Sequence, residues 1–252
     1  MRKILLQNVS TTEIKEVIKA ICLFETGMFE MIRIDISELK NHRQDLLYGA
    51  VPVGSVEFCR EAMKVAGIKE PAIDPYPLLS WVPYYRVITK LPASFALSMS
   101  DNMFIKPTKL KRFNGFVYNK SIPVMELNEH DKEQVKILMK MPDTEQVYIA
   151  DVVDFLSEFR YYIDDNKIIG FSRYDDSDEE GDHLIPNLSV VEEFAAKVNK
   201  QHPYVLDFGV LKSGETALVE LNHFYAIGFY QDGITAKEYL RLLVKYWDFI
   251  RS

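Results

Sequence analysis

The chain has 252 residues, 48% hydrophobic and 27% charged, which is material for one large domain or two or three small ones. Its 30 basic against 37 acidic residues leave a net charge of −7, which disfavours bulk nucleic-acid binding and confines any anion site to a local patch. Two isolated cysteines, Cys22 and Cys59, and histidines without HxxxH spacing exclude a disulfide framework and speak against a histidine-held transition metal; with no apolar run of membrane length, the expectation is a soluble, cytoplasmic protein with no membrane partner.

Ile4-Leu5-Leu6 starts a buried strand. Thr11-Thr12 ahead of Ile14, Val17, Ile18 and Ile21 predicts a capped helix, and Met31 to Ile36 the next strand. Val51-Pro-Val-Gly54 predicts a short strand, after which Ser55 opens a helix that runs through Val65 and stops at Gly67. The alternation predicts a small α/β domain over residues 1–95, closed by an ordered connector rich in aromatics and in proline (Pro71, Pro75, Pro77, Pro83, Pro92).

Met103 to Lys106-Pro107 and Phe116-Val-Tyr118 predict strands that bracket a loop. Between residues 104 and 120 there are five basic residues, Lys106, Lys109, Lys111, Arg112 and Lys120, and no acidic one. They surround Asn114-Gly115, a turn whose glycine lets main-chain N–H groups approach a ligand closely, and the combination suits a polyphosphate. Read alone, the segment also fits a solvated basic hairpin. Asp131 to Met139 predicts an amphipathic helix with Val135, Leu138 and Met139 inward, and Gln146 to Val153 an apolar strand ending at Asp154.

Glu158-Phe-Arg160 to Ile163 and Ile168 to Arg173 flank Asp164-Asp-Asn-Lys167. A turn centred on Asp165-Asn166 pairs Arg160 with Phe171 and Glu158 with Arg173, so Glu158, Arg160 and Arg173 share one face. Two guanidiniums beside a carboxylate can clamp a carboxylate or phosphoryl group, or form only an exposed salt bridge worth ~0–1 kcal/mol. The acidic run Asp175 to Asp182 fits a solvated loop and lacks EF-hand spacing. A helix follows Pro186-Asn187 with Val191, Phe194, Ala195 and Val198 on one face, and Ala236 to Ile250 predicts a last helix packed through Leu240, Leu243, Val244 and Trp247.

Between these helices lies the most informative segment, Asp207-Phe-Gly-Val-Leu-Lys-Ser-Gly-Glu-Thr-Ala-Leu-Val-Glu220-Leu-Asn222. With Ser213-Gly214 as a two-residue turn, Val210 pairs with Ala217 and Asp207 with Glu220, and Asn222 points the same way as Glu220. Facing carboxylates at about 4 Å repel by about 4 kcal/mol at an effective dielectric of about 20, a cost that a hard, oxygen-preferring divalent cation reverses. The segment therefore reads as a magnesium site; a surface hairpin with lysine counter-charges is the plainer reading.

The order of these parts resembles the ATP-grasp superfamily of carboxylate–amine ligases over about residues 86–230. The residues that carry the resemblance are Phe-Ile-Lys106-Pro, Phe113-Asn-Gly115-Phe-Val, Ser157-Glu158-Phe-Arg160-Tyr-Tyr-Ile, Val205-Leu-Asp207-Phe-Gly-Val and Val219-Glu220-Leu-Asn222. Val51-Pro-Val-Gly-Ser-Val-Glu-Phe adds a likeness to the RimK-like clade common in bacteriophages and mobile bacterial gene clusters. The resemblance implies an α/β (α+β) fold: a pre-ATP-grasp domain over 1–95, then an ATP-grasp domain over 96–252 with mainly antiparallel sheets, in subdomains of about 96–153 and 154–252.

It also implies roles. Lys106 matches the lysine on the ATP phosphates, and Phe113-Asn114-Gly115, with Lys111 beside it, the loop that folds over them. Val152, Val153 and Asp154 match the hinge that holds adenine and ribose, and Glu158 joins the nucleotide-binding set. Asp207, Glu220 and Asn222 match the ligands of Mg2+, which Mn2+ can replace. Arg160 and Arg173 fall where cations stabilise the transferred phosphoryl group and the acyl-phosphate. The second phosphate lysine departs from the pattern, with Arg86 and Lys90 as the nearby candidates and Leu91-Pro92 close behind. The implied partners are ATP, a carboxylate and an amine, the last two drawn from amino acids or peptides. A kinase on the same nucleotide site and a non-catalytic nucleotide-binding module are the alternatives. No P-loop sequence occurs.

Overall fold

The computed structural model describes residues 1–25, 27–42, 44–77, 82–99, 101–109, 112–177, 179–230 and 233–252. They form two compact units, residues 1–83 with 155–252, and residues 84–154. The boundary expected near residue 95 does not coincide with this division, because residues 88–92 pair as a strand with residues 146–151.

The first unit opens with β1 (Arg2–Gln7), α1 (Thr12–Phe24), β2 (Phe29–Ile34), α2 (Gln44–Gly49), β3 (Val51–Val53) and α3 (Val56–Ala66). The strands form a parallel sheet in the order β2-β1-β3. β1 is central, so Ile4, Leu5 and Leu6 are all buried, as a strand covered on both faces requires. Thr11 caps α1 by accepting from Ile14 N–H, Ser55 caps α3 by accepting from Phe58 N–H, and Gly67 ends α3 at φ 73°.

The second unit contains β4 (Ile88–Pro92), α4 (Ala93–Met99), β5 (Met103–Pro107), β6 (Phe116–Tyr118), α5 (Glu129–Met139) and β7 (Gln146–Asp151). Its strands are antiparallel in the order β4-β7-β5-β6, and Ile105, Phe116, Val135, Leu138 and Val147 make its core. Met139, expected inward, is 70% exposed; the buried stripe of α5 instead runs through Gln134, Val135 and Leu138.

The chain then returns to the first unit with β8 (Phe155–Asp164), β9 (Lys167–Arg173), α6 (Leu188–Val198), β10 (Tyr204–Leu211), β11 (Thr216–His223) and α7 (Ala236–Phe249). These strands form an antiparallel sheet in the order β11-β10-β8-β9. Phe194 of α6 packs edge-on to Phe208 on one face, where Tyr161 stacks on Phe171. On the other face Tyr162 and Val205 join Phe224, Tyr239 and Trp247 and the residues Ile4, Val17 and Phe58 in one core, which is why the two ends of the chain form one unit. The connector covers the β11 edge: Pro75 and Pro83 carbonyls accept from Leu221 and Leu218 N–H. Prolines can only accept here, so the connector caps the edge without offering a new one.

Two histidines in this unit have lowered pKa values. Burial pushes His223 down to about 4 and also lowers His202, which stacks on Phe249 at 3.9 Å. A histidine whose folded pKa lies below its unfolded value of about 6.5 leaves the unfolded chain binding more protons, so its contribution is complete above that pH and is lost as pH falls. His202→Phe keeps a ring on Phe249. In denaturant melts it is expected to lose less stability than wild type between about pH 6.5 and pH 5. Parallel losses in the two proteins would remove His202 from the acid response.

Candidate functional site

The β10–β11 hairpin brings its acidic residues together by a route the sequence does not show. Its loop has three residues, Lys212 to Gly214, rather than the expected two-residue turn; Gly214 N–H donates to Leu211 O at 2.8 Å and Gly214 takes φ 97°. Val210 is therefore opposite Thr216, not Ala217. A β-bulge between Asp207 and Phe208, with Val219 as the extra residue, then restores Asp207 opposite Glu220. Asn222 Nδ2 lies 2.6 Å from Glu220 Oε1 and 3.3 Å from Asp207 Oδ2.

Arg160 stands directly opposite Asp207 on β8, so a row Arg160–Asp207–Glu220 crosses the sheet. The guanidinium is bidentate on the carboxylate, with Nε to Oδ1 at 2.9 Å and Nη2 to Oδ2 at 2.8 Å, and the side chains are 11% and 1% exposed. Burial alone would lower the Arg160 pKa; the Asp207 carboxylate overcomes this and raises it. Beside it, Tyr174 and Tyr230 stack with centroids 5.6 Å apart, and Arg160 Cζ lies 5.4 Å from each ring. Tyr174 OH donates to Glu158 Oε2.

The expected companion, Arg173, is not on this face. Asp165 and Asn166 form the two-residue turn at φ 47° and 62°, but a bulge follows at Ile169 and shifts the register by one. Arg173 thus pairs with Phe159, and Arg160 with Ser172, so the one-residue slip sends Arg173 to the opposite face. There it bonds Asp175 at 2.7 and 2.8 Å and the Glu179 carbonyl.

In the second unit, Lys90 of β4 and Lys106 of β5 both stand opposite Tyr148 of β7. The two lysines consequently share a sheet face on either side of one tyrosine, with Lys90 Nζ 5.0 Å from its ring centroid. Asn114 N–H donates to the buried Gln134 at 2.8 Å, and Phe113 is buried beneath, which anchors the basic loop. Gly115 lies outside the left-handed region, and a Cβ there would have to displace the tip of the Phe104 ring. The loop is not free of negative charge, since Glu145 lies 3.6 Å from Lys109 and 3.5 Å from Arg112. Lys111 falls outside the described residues. Val152, Val153 and Asp154 follow the end of β7 without regular structure.

A family model described as "ATP-grasp domain, R2K clade family 2" matches residues 86–242, more than half of the chain. The chain belongs to the ATP-grasp family. A carboxyaminoimidazole ribonucleotide synthase from Aspergillus clavatus complexed with ATP is 11% identical, with a TM-score of 0.55 over 96% of this chain and 76% of that one. A second structure from that organism, in complex with ADP and 5-aminoimidazole ribonucleotide, gives 11% and 0.54 over the same shares, 96% and 76%. The ATP-grasp ligase PsnB complexed with minimal precursor gives 11% and 0.50 over 98% of this chain and 99% of that one. At such identities the likeness is one of fold, which agrees with the mixed α/β layers and two antiparallel sheets. A sequence comparison with curated proteins returns no match.

In this ATP-grasp protein the donor set Asp207, Glu220 and Asn222 fits Mg2+ by type, since it offers two carboxylates and an amide oxygen to a hard cation. The amide would have to turn its oxygen toward the carboxylates, a rotation of side-chain atoms only. Tyr148, Tyr174 and Tyr230 were not singled out by sequence. Alternation along β7 places Tyr148, whereas Tyr230 comes from a loop far along the chain and carries no local signal. Among the described residues no helix is long and apolar enough to cross a membrane.

Proposed function

We propose that this ATP-grasp protein is an ADP-forming ligase that joins a carboxylate to an amine through an acyl-phosphate. The observation that carries this reading is the row Arg160–Asp207–Glu220, with Asp207 buried and Asn222 alongside, within a chain matched by the family over residues 86–242. A carboxylate oxygen attacks the γ-phosphorus of ATP and ADP leaves; the amine nitrogen then attacks the acyl carbon, phosphate leaves, and the amine proton is lost. Lys106 and Lys90 would neutralise the phosphates, and the Asn114-Gly115 loop would cover them. Val152, Val153 and Asp154 hold adenine and ribose. Asp207, Glu220 and Asn222 would hold Mg2+, or Mn2+ in its place, which would supply positive charge to the phosphates of ATP. Arg160 stabilises the transferred phosphoryl group; Arg173, facing away and tied to Asp175, is not carried forward in that role. Nothing in this chemistry requires a side-chain nucleophile.

The RimK-like likeness rests on Val51 to Phe58, ahead of the matched span, and belongs to this proposal together with the bacteriophage setting and the amino-acid or peptide class of substrates. Incubation with ATP, Mg2+ and pools of acids, with hydroxylamine replacing the amine, should yield a hydroxamate together with ADP. A stable phosphate ester of an alcohol would instead establish the kinase, and AMP an adenylating enzyme.

Lys106→Met keeps the bulk of the side chain and removes its charge. Calorimetric titration with a non-hydrolysable ATP analogue should show at least tenfold weaker binding, or about 1.4 kcal/mol. Unchanged affinity would take Lys106 out of the nucleotide site.

A further inference from the structure

The charge of Asp207 is already balanced in this structure, by a residue that the proposed chemistry needs elsewhere. Arg160 donates to both carboxylate oxygens at 2.9 and 2.8 Å, and Asn222 Nδ2 makes a further contact to Oδ2 at 3.3 Å. Asp207 is 1% exposed, so these donors replace the water it would otherwise hold. An N–H donor and a cation use the same lone pairs of a carboxylate oxygen. The two guanidinium bonds and the Asn222 contact take three of the roughly four lone-pair sites of Asp207. A cation bound through both oxygens must therefore displace at least one of these donors, and the guanidinium charge opposes a cation at the remaining site.

Arg160 has a second seat. The stacked rings of Tyr174 and Tyr230 both lie within 5.4 Å of its Cζ, and an aromatic surface attracts a guanidinium whether or not a carboxylate is bound to it. Tyr174 is fixed on β8 at both ends, its N–H donating to Glu158 O at 3.0 Å and its OH to the Glu158 carboxylate. Tyr230 N–H donates to Tyr162 OH at 3.4 Å. The aromatic pair is thus tied to β8 through Glu158 and Tyr162 and not through the Asp207 contact.

From this geometry we infer that Arg160 and a divalent cation compete for Asp207. In this structure the arginine holds the carboxylate; when Asp207 turns to a cation, the guanidinium is retained on the Tyr174–Tyr230 pair with donors released for an anionic group. The inference rests on the reading of Asp207, Glu220 and Asn222 as cation ligands. It has two consequences. The metal-free protein resists loading by a cation alone, and loading is coupled to freeing the arginine that faces the transferred phosphoryl group.

Mn2+ binding in the absence of nucleotide tests this, followed by electron paramagnetic resonance of the free ion and by the thermal melt. Wild type should bind Mn2+ weakly. Arg160→Met should bind it at least tenfold more tightly and melt at higher temperature as Mn2+ is added, because the freed carboxylates favour the cation and binding to the native state stabilises it. Arg160→Met/Asp207→Asn should lose that gain. Should Arg160→Met fail to fold even with Mn2+, Arg160→Lys, which cannot be bidentate, must show a smaller gain of the same sign. Mn2+ affinity equal to wild type in whichever variant folds overturns the inference. The ligand set is tested separately by Asp207→Asn with an ATP analogue and Mn2+: weakened metal binding there, without a gain in the Arg160 variants, leaves the ligand set standing and the competition refuted.

Discussion

Arg160→Ala is expected to destabilise the metal-free protein by about 3–5 kcal/mol, the cost of leaving one member of a buried ion pair without its partner. The pair meets the conditions for a cost of that size. Asp207 is 1% exposed and Arg160 11%, and the contact is bidentate. The carboxylate that remains has Asn222 Nδ2 at 3.3 Å, a single long contact that compensates little of a full charge. Replacing both partners with apolar residues, as in Arg160→Met/Asp207→Leu, should recover most of the loss, because the pair's attraction and its desolvation nearly cancel. Urea melts of the wild type, Arg160→Met, Asp207→Leu and the double variant give the coupling directly. Activity should not follow stability: turnover in the double variant stays lost, and Arg160→Ala measured below its melting range should lose roughly 2.7–4 kcal/mol of transition-state stabilisation if the guanidinium acts as an oxyanion-type donor. An Arg160→Ala protein within about 1 kcal/mol of wild type would mean that the pair contributes like an exposed salt bridge.

Local chemistry was legible in the sequence where one segment decides its own conformation. Thr11 and Ser55 cap their helices as their positions suggest, Gly67 ends α3, and the alternation of Lys106 between Ile105 and Pro107 places it on a strand. Hairpin registers were less legible, because a bulge is a tertiary compromise with no residue signature. In β10–β11 the loop is one residue longer than expected and the bulge at Val219 compensates, so Asp207 meets Glu220 even though Val210 does not meet Ala217. In β8–β9 the turn at Asp165-Asn166 is the expected one, yet the bulge at Ile169 is not compensated and Arg173 leaves the site face. Partners distant in sequence were not legible at all. Glu145 beside Lys109 and Arg112, and Tyr230 beside Arg160, are set by packing between segments that no local pattern links.

Gly170→Ala should be among the most disruptive single-methyl changes in the chain, at about 3 kcal/mol, the upper end of the usual range for overpacking. A Cβ at Gly170 would sit 1.9 Å from the carbonyl oxygen of Gly233, and one at Gly233 would sit 2.6 Å from Ser172 Cβ. The obstruction is main chain, so rotamer changes cannot relieve it; either β9 or the segment at Gly233 must move. Gly170 is the β9 partner of Tyr162, whose hydroxyl donates to Gly228 O at 3.0 Å and accepts from Tyr230 N–H. Displacing that segment therefore loosens the Tyr230 ring from Arg160 as well as the core contacts of Phe229 with Tyr239. Gly49→Ala is the control, since a Cβ there meets nothing within 4 Å and its φ is ordinary. In a helix that change should be neutral or stabilising by roughly 0.5–1 kcal/mol. Denaturant melts of the two alanine variants separate these cases, and Tyr fluorescence anisotropy or hydrogen exchange at Phe229 and Tyr230 reports whether the segment has lifted. Equal stabilities for the two variants would show that β9 and Gly233 do not lie as close as 1.9 Å requires.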